Sequence, residues 1–162
     1  MRLIMSAFLL LIAFSAIAYG EETLDDLAEI GGRCSGLPSR LIKSIIYVES
    51  KGNPYAVNIN GIGGYQPSSL RDALLILYRF NRANSDLGLM QVNYRTWGPV
   101  TKLTPVELLD PRLNVCLGSR ILRQYIDEHG GWRGVGRYNA TSPAKQRTYI
   151  LNVAAAYRRI SE

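Results

Sequence analysis

The stretch PSRLIKSIIYVESKGNP, Pro38 to Pro54, constrains the fold most. Leu41, Ile42, Ile45, Ile46 and Val48 recur at helical spacing, which gathers them on one stripe of a helix and would scatter them over both faces of a strand. Pro38 or Ser39 starts this helix, and Gly52 and Pro54 stop it. The same signature returns along the chain. TLDDLAEIGGRC reads as a short first helix from near Thr23. SSLRDALLILYRFNRA reads as a third over 68–82, capped by Ser68 or Ser69. TPVELLDP is a helical turn. PRLNVCLGSRILRQYIDEHGG is a long helix with Leu113, Cys116, Leu117, Ile121, Leu122 and Tyr125 toward a core, and KQRTYILNVAAAYRRI is the terminal one. NPYAVNINGIGGYQP is rich in turn residues and is expected to be a loop, and WRGVGRYNATSP is short. No run alternates for long enough to make a useful strand, and there is no repeat or low-complexity run. The expectation is an all-α single domain, for which 162 residues supply a sizeable core.

The N-terminus stands apart. Arg2 is followed by an apolar run, Leu3 to Ile17, and then by Ala18-Tyr19-Gly20, a small-x-small cleavage pattern. Residues 1–20 read as a secretory signal peptide, with an N-terminal anchor helix as the other reading. No cysteine follows the apolar run, which argues against lipid modification. The folded domain is then 21–162, exported to the periplasm, with no stable membrane span once the signal is removed. The net charge of +6 suits a polyanion. Export and the lack of a basic stripe interleaved with aromatics argue against nucleic acid, and a cell-envelope polymer bearing carboxylates is the better match. Cys34 and Cys116 read as a disulfide in an exported chain, closing a loop of roughly 80 residues, or else as two buried thiols. With no CxxC and a single histidine, His129, expected to be exposed, no zinc site is expected.

Glu49 carries the chemistry. Ile45 lies four residues before it and Ile42 seven before, so Glu49 emerges from the apolar face of its helix. A carboxylate there loses solvation, its pKa rises, and it becomes a candidate general acid. The alternative is a helix-end glutamate that reaches water. Ser50 beside it could bond a carboxyl or a substrate group. The second unusual stretch, SDLGLMQVN, Ser85 to Asn93, is too polar for a buried strand and too apolar for an ordinary loop.

Glu49-Ser50, then Gly88-Leu89-Met90-Gln91-Val92-Asn93, then Tyr138-Asn139-Ala140, then Tyr149 appear in that order. GLMQVN is the most specific of these. The set resembles the soluble lytic transglycosylases, and most closely the small exported members that accompany conjugation, type IV pilus and virulence secretion systems. CSGLPSRLIKSIIYVESKGNPYAVNING and DPRLNVCLGSRIL, with both cysteines, are similar to that group, and the resemblance covers nearly all of 21–162. It implies a lysozyme-like fold, peptidoglycan glycan strands as substrate, and components of a secretion, conjugation or pilus machine as partners. It also implies that Gly88 lets the backbone approach a sugar, that Leu89 and Met90 form an apolar floor, and that Gln91 and Asn93 meet or orient substrate. Tyr138 and Asn139 would close the far wall, and Tyr149 would bring its hydroxyl to Glu49. For Leu89, Met90 and the tyrosines, ordinary core packing is the other reading. Thr141 stands where the family often has a glycine, and residues 58–84 are longer than in its shortest members. The helix read at 68–82 could roof the groove or pack beside it.

Glycosidases usually work with two carboxylates. Only Glu49 stands in the motif set, and Asp86, the nearest second acid, reads as a loop residue. As in lytic transglycosylases, the substrate's own C6 hydroxyl would then close on C1, giving a 1,6-anhydro product with no metal and no cofactor. Two alternatives stay open. One is a hydrolytic muramidase using Asp86. The other is a non-catalytic wall-binding protein that keeps the groove for docking.

Overall fold

The computed structural model describes residues 22–80 and 84–160. The signal peptide read at 1–20 lies outside them. Among the described residues eight helices and a small sheet follow in the order α1 (Leu24–Ser35), α2 (Ser39–Ser50), β1 (Val57–Ile59), β2 (Gly63–Tyr65), α3 (Leu70–Arg79), β3 (Ser85–Leu87), β4 (Val92–Asn93), α4 (Tyr94–Thr101), α5 (Pro105–Leu108), α6 (Pro111–His129), α7 (Gly131–Asn139) and α8 (Pro143–Arg159). No helix among the described residues is long and apolar enough to cross a membrane.

The helix ends are chemically specified. Thr23 and Asp26 form a capping box on α1, Thr104 and Glu107 another on α5, and Asp110 caps α6 ahead of Pro111. Ser69, not Ser68, caps α3. Two cores result. Ile42, Ile45 and Ile46 of α2 pack with Leu27 of α1, Val115 and Leu122 of α6 and Val153 of α8. The second core holds Val57 and Ile59 of β1, Leu87 of β3, Leu77 of α3 and Ile121 of α6. The long helix α6 thus serves both lobes. Cys34 at the end of α1 is bonded to Cys116 on α6, with Cα atoms 5.4 Å apart.

Three readings need correction. The stretch expected to be a loop contains β1 and β2, and SDLGLMQVN contains β3 and β4; together they form an antiparallel sheet of order β2-β1-β3-β4. These strands are two or three residues long, too short for alternation to show in the sequence. WRGVGRYNATSP, read only as short, holds most of helix α7. Its glycines conceal the helix, and Gly134 has a packing reason, since a Cβ there would lie 2.4 Å from Ile126 Cα. Only glycine lets α7 press this closely on α6. On α6 itself Leu113 is 45% exposed, and the buried place beside it belongs to Asn114.

Candidate active site

Short as they are, the strands alternate. Val57, Ile59, Leu87 and Val92 turn to the core, while Asn58, Asp86 and Asn93 turn the other way. Asn58 pairs across the sheet with Asp86, and Asp86 with Asn93. Their side chains line a cleft of about 520 Å³ between the sheet and the helical lobe, with Glu49, Gln91, Tyr138 and Asn139 on its other sides.

Glu49 stands one residue from the end of α2, above its buried isoleucines. Tyr149 of α8 donates its hydroxyl to Glu49 Oε1 at 2.5 Å. Burial pushes the Glu49 carboxyl up to about 7, against the downward pull of the Tyr149 hydrogen bond; nearby Asp86 raises it further, and Lys51 lowers it. Burial, with Glu49's own charge, holds the hydroxyls of Tyr138 and Tyr149 well above the usual tyrosine range. Both phenols therefore remain donors.

The remaining motif residues divide. Gln91 has positive φ, 48°, and its amide nitrogen donates to the carbonyls of Ala56 and Gly88 at 3.1 and 2.9 Å. These bonds hold an otherwise unfavourable conformation and leave the amide oxygen as the group to meet a ligand. The Asn93 amide nitrogen donates to Asp86, and its oxygen caps α4. The Tyr138 hydroxyl donates to the Met90 carbonyl at 2.7 Å, tying α7 to the β3–β4 turn. Tyr149 stands behind Glu49, 5% exposed.

Like Tyr149, four more of the predicted residues do not line the cleft. Leu89 and Met90 are fully buried in the helical core and form no floor. Gly88 has φ of 75°, and a Cβ on it would meet Asn114 Nδ2 at 2.4 Å and the Leu108 carbonyl at 2.9 Å. Its glycine serves that internal approach, not the approach of a sugar. Ser50 is fully buried; its hydroxyl donates to the Ile46 carbonyl and accepts from the Gly52 amide, closing the end of α2.

Sequence reasoning missed one group and misplaced another. The buried Asn114 donates to the Leu87 and Leu108 carbonyls and accepts from the Met90 amide, so one side chain clamps the GLMQ turn. An asparagine beside a helical stripe was its only mark. Asp86, read as a loop residue, lies on β3 and accepts amide hydrogens from Asn58, Asn60 and Asn93 at 2.9, 3.1 and 2.7 Å. Asn58 and Asn60 stand at strand spacing, the signal that the loop reading passed over.

A mostly helical lysozyme-like domain, its cleft set between a helical lobe and a small sheet and holding a glutamic acid poised near neutrality, defines the class. Residues 26–159 match the family described as transglycosylase SLT domain, and the chain belongs to it. This is a family of lytic transglycosylases that act on peptidoglycan. The chain is also similar to Protein IpgF of Shigella sonnei and Protein IpgF of Shigella flexneri, each 29% identical over 83% of this chain and 78% of the relative. No solved structure matches it.

Proposed function

We propose that this protein is a peptidoglycan lytic transglycosylase that cleaves the β-1,4 bond between MurNAc and GlcNAc. The observation that carries the proposal is the Glu49 carboxyl, held near 7 by burial and gripped by Tyr149. Near neutral pH a large share of it is protonated, as a general acid must be. Glu49 gives its proton to the glycosidic oxygen, and the C1–O4 bond breaks with the GlcNAc hydroxyl leaving. The C6 hydroxyl of MurNAc then closes on C1 and returns its proton to Glu49, leaving a 1,6-anhydro sugar. No water is consumed.

The protein acts in the periplasm, exported by residues 1–20, with residues 21–162 as the catalytic domain. There it opens the wall locally for a secretion, conjugation or pilus apparatus. The basic surface suits a carboxylate-bearing polymer. Gln91, Asn93, Tyr138 and Asn139 hold the strand, with Ser50, Gly88, Leu89 and Met90 shaping the site from within.

Mass spectrometry of products from purified sacculi tests this. Anhydro ends, one water lighter than lysozyme products, are expected; reducing ends overturn it. One observation favours a second reading, hydrolysis. Asp86 lies in the same cleft and is cradled by three amides, as a second carboxylate should be. Under the transglycosylase reading Asp86→Asn retains most of the activity and still yields anhydro ends. If Asp86→Asn is as inactive as Glu49→Gln, the hydrolytic reading replaces it.

A further inference from the structure

A second cavity, about 450 Å³, adjoins the cleft. Tyr138 and Asn139 line both, so the two share a wall. Beyond that wall the lining includes Arg137, Thr141, Ser142 and Lys145, with two cations and no carboxylate. Neither cation makes an ion pair among the described residues.

Arg137 is under-bonded. Its Nη1 donates to the Thr141 carbonyl at a long 3.4 Å, and its Nε is buried with no hydrogen-bond partner. A buried donor without a partner is costly. A carboxylate in the cavity gives the guanidinium's Nη donors the acceptor they lack. The neighbouring helix end points the same way. Ser142 caps α8 without a side-chain hydrogen bond, and the first turn of α8 contains no acid. Lys145 stands in that turn, where a cation opposes the helix dipole. An anion in the cavity pairs with the guanidinium and offsets this repulsion.

We propose that this cavity is a subsite for a carboxylate of the peptide stem that the muramic residue carries. The proposal rests on the peptidoglycan reading above. A glycan strand in the cleft carries its lactyl-linked peptides sideways from the ring, and those peptides bear free carboxylates. The shared wall of Tyr138 and Asn139 is where such a stem leaves the cleft for the cavity. Arg137 and Lys145 thereby become specificity residues that favour peptide-bearing over bare glycan.

The test compares peptide-bearing glycan strands with strands stripped of their peptides by an amidase, using Arg137→Gln and Lys145→Gln. Loss of a charge-assisted contact is expected to lower kcat/KM on peptide-bearing strands by about tenfold. On stripped strands the change should be less than about twofold. An equal fall on both substrates, or no fall on either, overturns the proposal. Lys145 is exposed, so its variant remains informative should Arg137→Gln not fold. Calorimetric titration with the free stem peptide supplies a readout without catalysis. Affinity should weaken about fivefold or more in either variant, and unchanged affinity overturns the subsite. If the wild type cuts neither substrate yet binds the free peptide through these two residues, the catalytic reading fails while the subsite stands.

Discussion

Glu49 is the proposed acid of the site and a cost to the fold. Its folded pKa, about 7, lies above the ordinary 4.5, so the folded protein holds this proton more tightly than the unfolded chain does. The associated stability is complete below about pH 4.5 and is lost as pH rises through 7, amounting to about 3 kcal/mol across that window. Glu49→Gln carries no such proton. Its melting temperature should exceed that of the wild type increasingly as pH rises from 4.5 to 8, while wall cleavage falls by at least about 10²-fold. Activity within threefold of wild type, at an unchanged circular dichroism spectrum, removes Glu49 from the acid role. For the wild type, the pH profile of kcat/KM should show a falling limb near pH 7 as the acid form is lost. Thermal melts across the pH series and initial rates on sacculi check both limbs.

At the scale of elements, the GLMQ turn is the joint. Leu89 and Met90 leave the sheet and enter the helical core, so one short segment belongs to both lobes. Asn114 of α6 holds that joint through the Leu87 and Leu108 carbonyls and the Met90 amide. Asn114→Ala removes all three of these bonds to buried backbone groups. At about 1–3 kcal/mol for each such group, less whatever water recovers, a loss of about 3–5 kcal/mol is expected. Gln91→Ala, at the cleft edge of the same turn, loses two half-buried hydrogen bonds, should cost about 1–2 kcal/mol and act mainly on turnover. Urea denaturation of both variants checks the contrast; if the Gln91 variant loses more stability than the Asn114 variant, this account of the turn is wrong.

For the whole molecule, the bond between Cys34 and Cys116 joins α1 to α6 across a separation of 82 residues. Closing a loop of that length restricts the unfolded chain by about 4–5 kcal/mol in the chain-entropy picture. Thermal unfolding with and without reductant should show a drop of roughly 10 °C on reduction. A drop below about 2 °C would mean that the helical packing alone holds α1 on α6. Thiol labelling of the unreduced, denatured protein should find no free thiols at these two positions.

The helices were legible because their cause is local. Apolar residues at helical spacing, with threonine, serine and aspartate caps and proline starts, specify α1, α2, α3, α5, α6 and α8 before any partner is present. Glu49 was legible for the same reason, since helical spacing alone sets it on the isoleucine face. The small sheet was not. Strands of two or three residues have no stability of their own and exist because α6 and the Asn114 clamp hold them. The role of Gly88 was likewise decided by what stands opposite it, the amide of Asn114. So was the place of Leu89 and Met90, whose apolar side chains suit a cleft floor and a core equally until the packing chooses. Asp86 shows the difference most sharply. In the chain it is one acid before GLMQ. Only the pairing of β1, β3 and β4 brings three asparagine amides around it and turns it toward Glu49's cleft, because cross-strand neighbours are set by register, which no local spacing encodes.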